Sequence, residues 1–291
     1  MNFKIVADSS SDVLHLPDVP FASAPLSIIA GERTYVDTPE LDVMGMVTDL
    51  RAHKGRSSTA CPGLNDWLTA FGDAEQIICM TITSQLSGSY NSAKVAAKEY
   101  EELYPGRRVF VLDSLTTGPE MRLLIEKAEA LILSGLDFDS VVQGLTEYQQ
   151  HTHLLFCLTS LHNLMMNGRV NPALGALVGL LGIRVLGCAS PKGELEIVGK
   201  HRGDRKALQA IQAAMVDRDY NGGKVYITHC NSESTAMALR DRLLTMWPDA
   251  DISIGPARAL CSFYAEEGGL LIGFAISSLS SSTACFSTRE T

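Results

Sequence analysis

Residues 77–93 read IICMTITSQLSGSYNSA, an apolar run that passes through a hydroxyl-rich turn into a helical pattern. This order predicts a buried strand at Ile77–Ile82, then a turn, then a helix that begins near Ser89. The first turn of a helix leaves backbone N–H groups unpaired at the positive end of the helix dipole, and Gly88 would let a ligand approach them. The geometry favours an anionic oxygen. Hydroxyls of the same turn supply further donors: Ser84, Ser87 and Ser89.

The same order of strand and hydroxyl-rich turn occurs twice more in the first half of the chain. Lys4–Ala7 leads into Asp8–Asp12, and Arg108–Leu112 leads into residues 113–118. Apolar runs without alternation indicate strands buried on both faces of a parallel sheet, whose carboxyl ends share one edge where ligands bind. The alternative is that these serines only cap helices, which is their usual role between a strand and a helix.

The patterns predict two α/β domains with a ligand between them. We expect an N-terminal domain with a parallel-sheet layer at 1–155, a C-terminal domain with a mixed-sheet layer at 156–280, and a flexible tail at 281–291. In the second domain, two short strands at 188–191 and 194–198 surround a Pro-Lys-Gly turn. Helices are predicted at 41–51, 89–104, 120–134, 140–150, 205–216 and 235–247.

The composition is that of an ordinary globular protein, with 46% hydrophobic and 20% charged residues. The net charge of −9 argues against a nucleic-acid-binding surface, because such a surface needs clustered Lys and Arg. Seven cysteines without metal-ligand spacing indicate free thiols in a reducing compartment, and no secretion signal is recognisable. We therefore expect a cytoplasmic location.

The longest apolar run, Pro172–Ile183, is shorter than the roughly 20 residues that a membrane-spanning helix needs. No membrane span is therefore expected. The run predicts a buried helix that Asn171 caps and Arg184 ends. Gly175 and Gly179 lie one turn apart and form a notched face, which accepts either another helix or a ligand tail.

These motifs, in this order, resemble the DegV family of bacterial fatty-acid-binding proteins over nearly the whole chain. Residues 83–93 resemble the family's Ser-x-Leu-Ser-Gly-Thr-Tyr-x-Ser-Ala motif. Ser57-Ser58 with Pro62-Gly63 resembles its Thr-Ser-x-Pro-x-Pro-Gly segment. Further similar segments lie at 4–12, 161–170, 198–202 and 254–256.

The resemblance implies a two-domain protein that holds a long-chain fatty acid between its domains and presents it to a fatty acid kinase. The leading hypothesis is a carrier without catalytic chemistry or a cofactor of its own. We expect a narrow apolar slot, walled by residues such as those of 172–181, that ends at serine hydroxyls. The candidate ligand-binding residues are Ser57, Ser58, Ser87, Gly88, Arg169 and Cys261, and Arg169 and Arg202 are candidates for a charged rim.

The chain departs from the family's pattern after Ile254–Pro256. The family often carries Gly-Thr-His-Thr-Gly-Pro-Gly there, whereas residues 257–269 read ARALCSFYAEEGG and place Cys261 opposite the histidine in the simplest pairing. A thiol cannot supply a protonated ring to a carboxylate, so phosphorylation of the bound acid is less expected than its binding. Arg258 would replace that charge if it pointed inward, but an exposed arginine is the expectation.

A small-molecule hydrolase or phosphotransfer enzyme is the alternative function. It would use Asp8, Asp113 and the serines at the sheet edge, but the sequence shows no convincing general base for a serine hydroxyl. A metal site is disfavoured because no acidic ligand lies near the histidines of the middle region, His151, His153 and His162.

Overall fold

The computed structural model describes residues 2–170 and 182–277. Within these ranges, the strands form a four-stranded, a three-stranded and a six-stranded sheet. The expected α/β class is confirmed, with a parallel sheet in the first half of the chain and a mixed sheet in the second. The tail predicted at 281–291 lies outside the described residues.

The four-stranded sheet is parallel throughout. Its strands, in spatial order, are β2 (Phe21–Ala24), β1 (Phe3–Asp8), β6 (Gln76–Thr81) and β7 (Arg108–Asp113). The three strand-turn units predicted from the sequence are therefore neighbours, and their carboxyl ends share one edge.

Both halves of the chain contain helices. The first half contains α1 (Val43–Ala52), α2 (Leu64–Phe71), α3 (Ser89–Leu103), α4 (Gly118–Leu133) and α5 (Phe138–Gln149), together with a 3₁₀ turn at Ser9–Ser11. The described part of the second half contains α6 (His162–Met166), α7 (Asp204–Val216), α8 (Glu233–Met246) and α9 (Ala259–Ala265). Each of the six helices predicted above is confirmed to within two residues at either end.

Residues of β1 and β6 alternate between two hydrophobic cores, which explains why both strands are apolar throughout. Ile5 and Ile78 face the core beneath α4 and α5. Val6 and Cys79 face the core beneath α2 and α3. Helices on both faces of a parallel sheet leave its edge at the strand ends free for a ligand.

The six-stranded sheet is mixed and includes a strand that crosses the boundary predicted at residue 155. Its spatial order is β10 (Leu195–Arg202), β9 (Ile183–Ala189), β8 (Thr152–Leu158), β13 (Leu270–Ala275), β11 (Val225–His229) and β12 (Ile252–Pro256). The last two strands pair in parallel, and the other neighbours pair antiparallel. The predicted hairpin is confirmed as β9 and β10, although both strands are longer than expected.

The helix predicted over Pro172–Ile183 is wrong at its C-terminal end. Ile183 is the first residue of β9, and Arg184 pairs with His201 of β10. Arg184 therefore continues a strand instead of ending a helix. The rest of that prediction, with Asn171 and the glycine notch of Gly175 and Gly179, lies outside the described residues.

The three-stranded sheet is not anticipated by the sequence analysis. It is antiparallel and consists of β4 (Arg33–Val36), β3 (Ser27–Ala30) and β5 (Ser57–Ala60). Ile28 of its central strand is fully buried together with Met46 of α1 and Phe263 of α9. This small core therefore joins β3, the strand that pairs with β5, to the C-terminal half of the chain.

Helix α4 connects the two large sheets. Leu124 and Ile125 lie in a core of the parallel sheet, and the helix also packs along β13 of the mixed sheet. This second contact is close, because a Cβ added at Gly273 would lie 2.4 Å from the backbone nitrogen of Glu120. Gly273 therefore determines how closely α4 and the mixed sheet approach each other.

We expect Gly273→Ala to lower the free energy of unfolding by about 1 to 3 kcal/mol, because the new methyl group must push α4 away from β13. Urea denaturation followed by circular dichroism measures this change. Gly255→Ala is the matched control, since a Cβ at Gly255 of β12 would meet no atom within 4 Å. Equal stability of the two variants would contradict this account of the contact.

Glu120 predicts a pH dependence of folding. Burial raises the pKa of its carboxyl from 4.5 to about 7, against the opposing effect of the hydrogen bond that Thr152 donates at 2.8 Å. The folded state therefore binds the proton more tightly, so this stabilising contribution is complete below about pH 4.5 and is lost as the pH rises through 7. The free energy of unfolding of the natural protein should therefore fall between pH 4.5 and 7. Glu120→Gln should remove roughly 3 kcal/mol of this fall, because the amide does not titrate.

Urea midpoints measured between pH 4.5 and 8 check this expectation. The variant keeps a side-chain oxygen that can accept the Thr152 hydrogen bond, so its stability should exceed that of the natural protein at pH 8. Parallel profiles for the two proteins would show that Glu120 does not contribute to the slope.

Candidate functional site

A narrow slot lies between the carboxyl edge of the parallel sheet and one face of the mixed sheet. The space between the surrounding atoms is about 660 Å³ when the solvent-filled part at the open mouth is included. The centre of a water molecule fits into only about 60 Å³ of this space, so the slot is tight along its length. Among the residues that the structure describes, its polar lining consists of Thr59, Ser87, Thr117, Arg169, Cys261 and Tyr264.

Alternate residues of β8 form the apolar floor of the slot. Leu154, Phe156 and Leu158 line it, whereas Leu155 and Cys157 lie in the core on the opposite face of the sheet. The division follows from the two-residue period of a strand. Leu271 of β13 and Leu195 of β10 extend this floor.

Ser87 and Arg169 lie together at a polar part of the slot. The Ser87 N–H donates to the Thr83 carbonyl at 3.3 Å, and the Ser87 hydroxyl oxygen accepts the N–H of Ser89 at 3.2 Å. Arg169 donates from Nε to the Leu86 carbonyl at 2.9 Å and from Nη1 to the Asn167 carbonyl. These bonds hold the guanidinium against the turn that carries Ser87, and both residues line the slot, where each can donate a hydrogen bond to an anionic group.

Asp8 organises the turn that carries Ser87. Its carboxylate accepts the hydroxyls of Ser10 and Ser89, each at 2.5 Å, and the N–H of Ile82 at 2.9 Å. Burial raises the pKa of Asp8, and these hydrogen bonds oppose the shift. Ser89 therefore serves the fold, whereas Ser87 from the same turn faces the slot.

Asp113 has a comparable structural role at the end of β7. Its Oδ1 atom accepts the N–H of Ser84 at 3.1 Å and the N–H of Leu115 at 3.2 Å. Both carboxylates that the alternative enzyme function would use are thus hydrogen-bonded to neighbouring turns, and neither lines the slot.

Strand β5 contributes a threonine to the slot that the sequence analysis does not single out. Thr59 Oγ1 lies 3.0 Å from the hydroxyl oxygen of Tyr264. Ser57 occupies the same face of β5 but lines a neighbouring cleft, together with Arg51 and His53. The other candidates from these two motifs, Ser58 and Gly88, are not among the lining residues. The alternation of strand residues could have indicated Thr59 once β5 was recognised.

Thr117 and Cys261 form a second polar contact in the slot. Thr117 precedes α4 without capping it, and its hydroxyl oxygen lies 3.8 Å from Cys261 Sγ. The Cys261 thiol donates to the Ser10 carbonyl at 3.3 Å, and burial raises its pKa well above the usual value. The thiol is therefore neutral at physiological pH and contributes no charge to the slot.

The expectation that Arg258 is exposed is wrong, since only 15% of its side chain is accessible. Its guanidinium pairs with the buried carboxylate of Asp37 at 2.8 Å and also donates to the Thr38 carbonyl. Arg258 is thus neutralised away from the slot. Arg169 is the basic residue that lines the slot in the described ranges, and Arg202 is exposed at the end of β10.

No group of three or more His, Cys, Asp or Glu side chains within 2–170 and 182–277 is arranged to hold a metal ion. In the same ranges, no helix combines the length and apolar character needed to cross a bilayer. The cysteines that the structure describes are free thiols.

Comparisons with known proteins identify relatives along nearly the whole chain. Residues 2–277 match the sequence profile described as "Uncharacterised protein, DegV family". A DegV domain-containing protein of Streptococcus pneumoniae is 43% identical over 280 residues, which covers 95% of this chain and 100% of the relative.

Two solved structures share the fold closely. The Fatty Acid Kinase (Fak) B3 protein of Streptococcus pneumoniae, loaded with linoleic acid, has a TM-score of 0.93 at 43% identity, covering 95% of this chain and 100% of that one. A DegV family protein of Eubacterium eligens, loaded with heptadecanoic acid, has a TM-score of 0.93 at 40% identity, covering 94% and 100%. With the profile match over residues 2–277, these similarities establish that the chain belongs to the DegV family.

Proposed function

We propose that this protein binds one long-chain fatty acid in the slot, with the carboxylate at Ser87 and Arg169 and the tail along β8. The observation that carries the proposal is a tight apolar slot whose lining includes Ser87 and Arg169, with Arg169 bonded to the carbonyl of Leu86, the residue before Ser87. Relatives at 43% and 40% identity were crystallised with linoleic and heptadecanoic acid, which supports the same ligand class here.

The apolar tail supplies most of the binding free energy. Burial of about 15 methylene groups contributes roughly 12 kcal/mol before the costs of ordering the ligand. Each charge-assisted hydrogen bond to the carboxylate adds about 1.5 to 3 kcal/mol, offset by desolvation of the ion. The polar residues therefore determine which end of the acid enters which end of the slot.

We further propose that the protein is a carrier that presents the acid to a fatty acid kinase in the cytoplasm, and that it needs neither a catalytic group nor a cofactor of its own. The kinase partner is supported by the name of the relative from Streptococcus pneumoniae. A carrier role is supported by the engagement of Asp8 and Asp113 in structural hydrogen bonds. Free thiols at the described cysteines fit a reducing compartment.

Protein purified without added lipid should release about one fatty acid per chain when it is denatured, as measured by mass spectrometry. After removal of lipid, it should bind palmitate more tightly than methyl palmitate, because the ester cannot pair with Arg169. Absence of a stoichiometric acid, together with no uptake of palmitate, would contradict the proposed function.

Ser87→Ala should weaken palmitate binding by roughly ten- to a hundredfold, since it removes one hydrogen bond to a charged group. Titration calorimetry measures the dissociation constant. Ser84→Ala is the matched control, because Ser84 lies in the same turn but does not line the slot. Thermal unfolding should accompany both titrations, since Ser87 also accepts the Ser89 N–H. Equal affinity of the two variants would remove Ser87 from the binding site.

A further inference from the structure

The aromatic ring of Phe156 lies directly over Gly187 of the adjacent strand. The two residues are paired across β8 and β9. A Cβ added at Gly187 would lie 2.1 Å from Phe156 Cζ and 2.5 Å from Phe156 Cε2. Real Cβ atoms do not approach other atoms so closely, so the ring occupies the space that any side chain at position 187 would need.

Other positions of the ring are restricted by its neighbours on the same face of the sheet. Leu154 and Leu158 flank Phe156 along β8, and Leu271 is its cross-strand partner on β13. All three are leucines that line the slot. With these sides occupied, a ring displaced from Gly187 must rotate upwards into the slot.

We propose that Gly187 is a specificity-determining residue, because it provides the recess that holds the Phe156 ring out of the slot. This inference rests on the proposed function, and it concerns which acyl chains fit. Phe156 is the one aromatic residue that the described part of the mixed sheet contributes to the slot. Its position therefore determines the width of the slot at the level of β8.

The width at this level distinguishes straight from bent chains. A saturated chain can pass a constriction in its extended form, whereas a cis double bond fixes a bend that needs more lateral space. A recessed ring therefore favours acceptance of cis-unsaturated acids. A ring raised into the slot would exclude them more strongly than saturated acids of equal length.

The test compares stearate and oleate, which have the same chain length, in binding to the delipidated full-length protein. Gly187→Ala should weaken oleate binding at least tenfold more than stearate binding. The double variant Gly187→Ala/Phe156→Leu should recover the natural ratio of the two affinities, because the shorter side chain clears the new methyl group. Equal weakening of both acids by Gly187→Ala, or no recovery in the double variant, would overturn the inference.

Folding of these variants is followed by thermal unfolding, with Gly255→Ala as the strand-glycine control. A Cβ at Gly187 also comes within 2.5 Å of the Glu196 carbonyl oxygen, so some loss of stability is expected in both the single and the double variant. If Gly187→Ala does not fold, Phe156→Trp replaces it in the test, because the larger ring does not fit the recess over Gly187 and must extend into the slot. Phe156→Trp should weaken oleate binding at least fivefold more than stearate binding, and equal weakening of both acids would overturn the inference.

Failure of the natural protein to bind either acid would instead contradict the proposed function. Binding of both acids by the natural protein, without the expected changes in the variants, would contradict only the role of Gly187. The two conclusions are thus separated by the same set of titrations.

Discussion

The buried carboxylate of Asp8 is the constraint on which the arrangement of the slot depends. It joins the end of β1 to the backbone after β6, through Ile82, and to the start of α3, through Ser89. A carboxylate removed from water is costly unless hydrogen bonds compensate it, and its raised pKa reflects that cost. The four donors around Asp8 satisfy it and, in doing so, fix the turn from which Ser87 faces the slot.

The slot also needs the two large sheets at a defined separation. Helix α4 contributes side chains to the core of the parallel sheet while its first turn contacts β13 at Gly273. Gly118, at the start of this helix, has a φ of +55°, and a Cβ there would lie 3.3 Å from both Cys261 and Leu271. Two glycines thus allow backbone segments to approach closely, and the side chains of both sheets meet around one space.

Much of this architecture was predictable because it follows from local patterns. The apolar strands, the parallel order and Ser87 within a strand-turn-helix unit depend on neighbouring residues in the sequence. The three-stranded sheet was not predictable in this way, because its short strands have mixed exposure and Ile28 is buried by residues distant in sequence. The environment of Arg258 likewise depends on Asp37, more than 200 positions away.

Site residues that sequence reasoning missed share the same cause. Thr59 reaches the slot through the pairing of β5, and Thr117 does so through the position of α4. The recess at Gly187 depends on the pairing of β8 with β9, which no motif in the sequence signals. A sequence motif identifies residues that are close together in the sequence. A slot between two sheets is formed by tertiary contacts among residues from many separate segments, so no single motif identifies all of its lining.

The charges around the slot argue for one orientation of the proposed ligand. Asp37 neutralises Arg258, and the Cys261 thiol is uncharged. Burial raises the pKa of Asp12, near Cys261, to about 7, so near neutral pH this side chain is partly ionised and gives a bound carboxylate no attraction. In the described residues, Arg169 alone brings a positive charge to the lining. A carboxylate therefore gains most beside Ser87 and Arg169, and the acyl chain must extend from there over the leucines of β8.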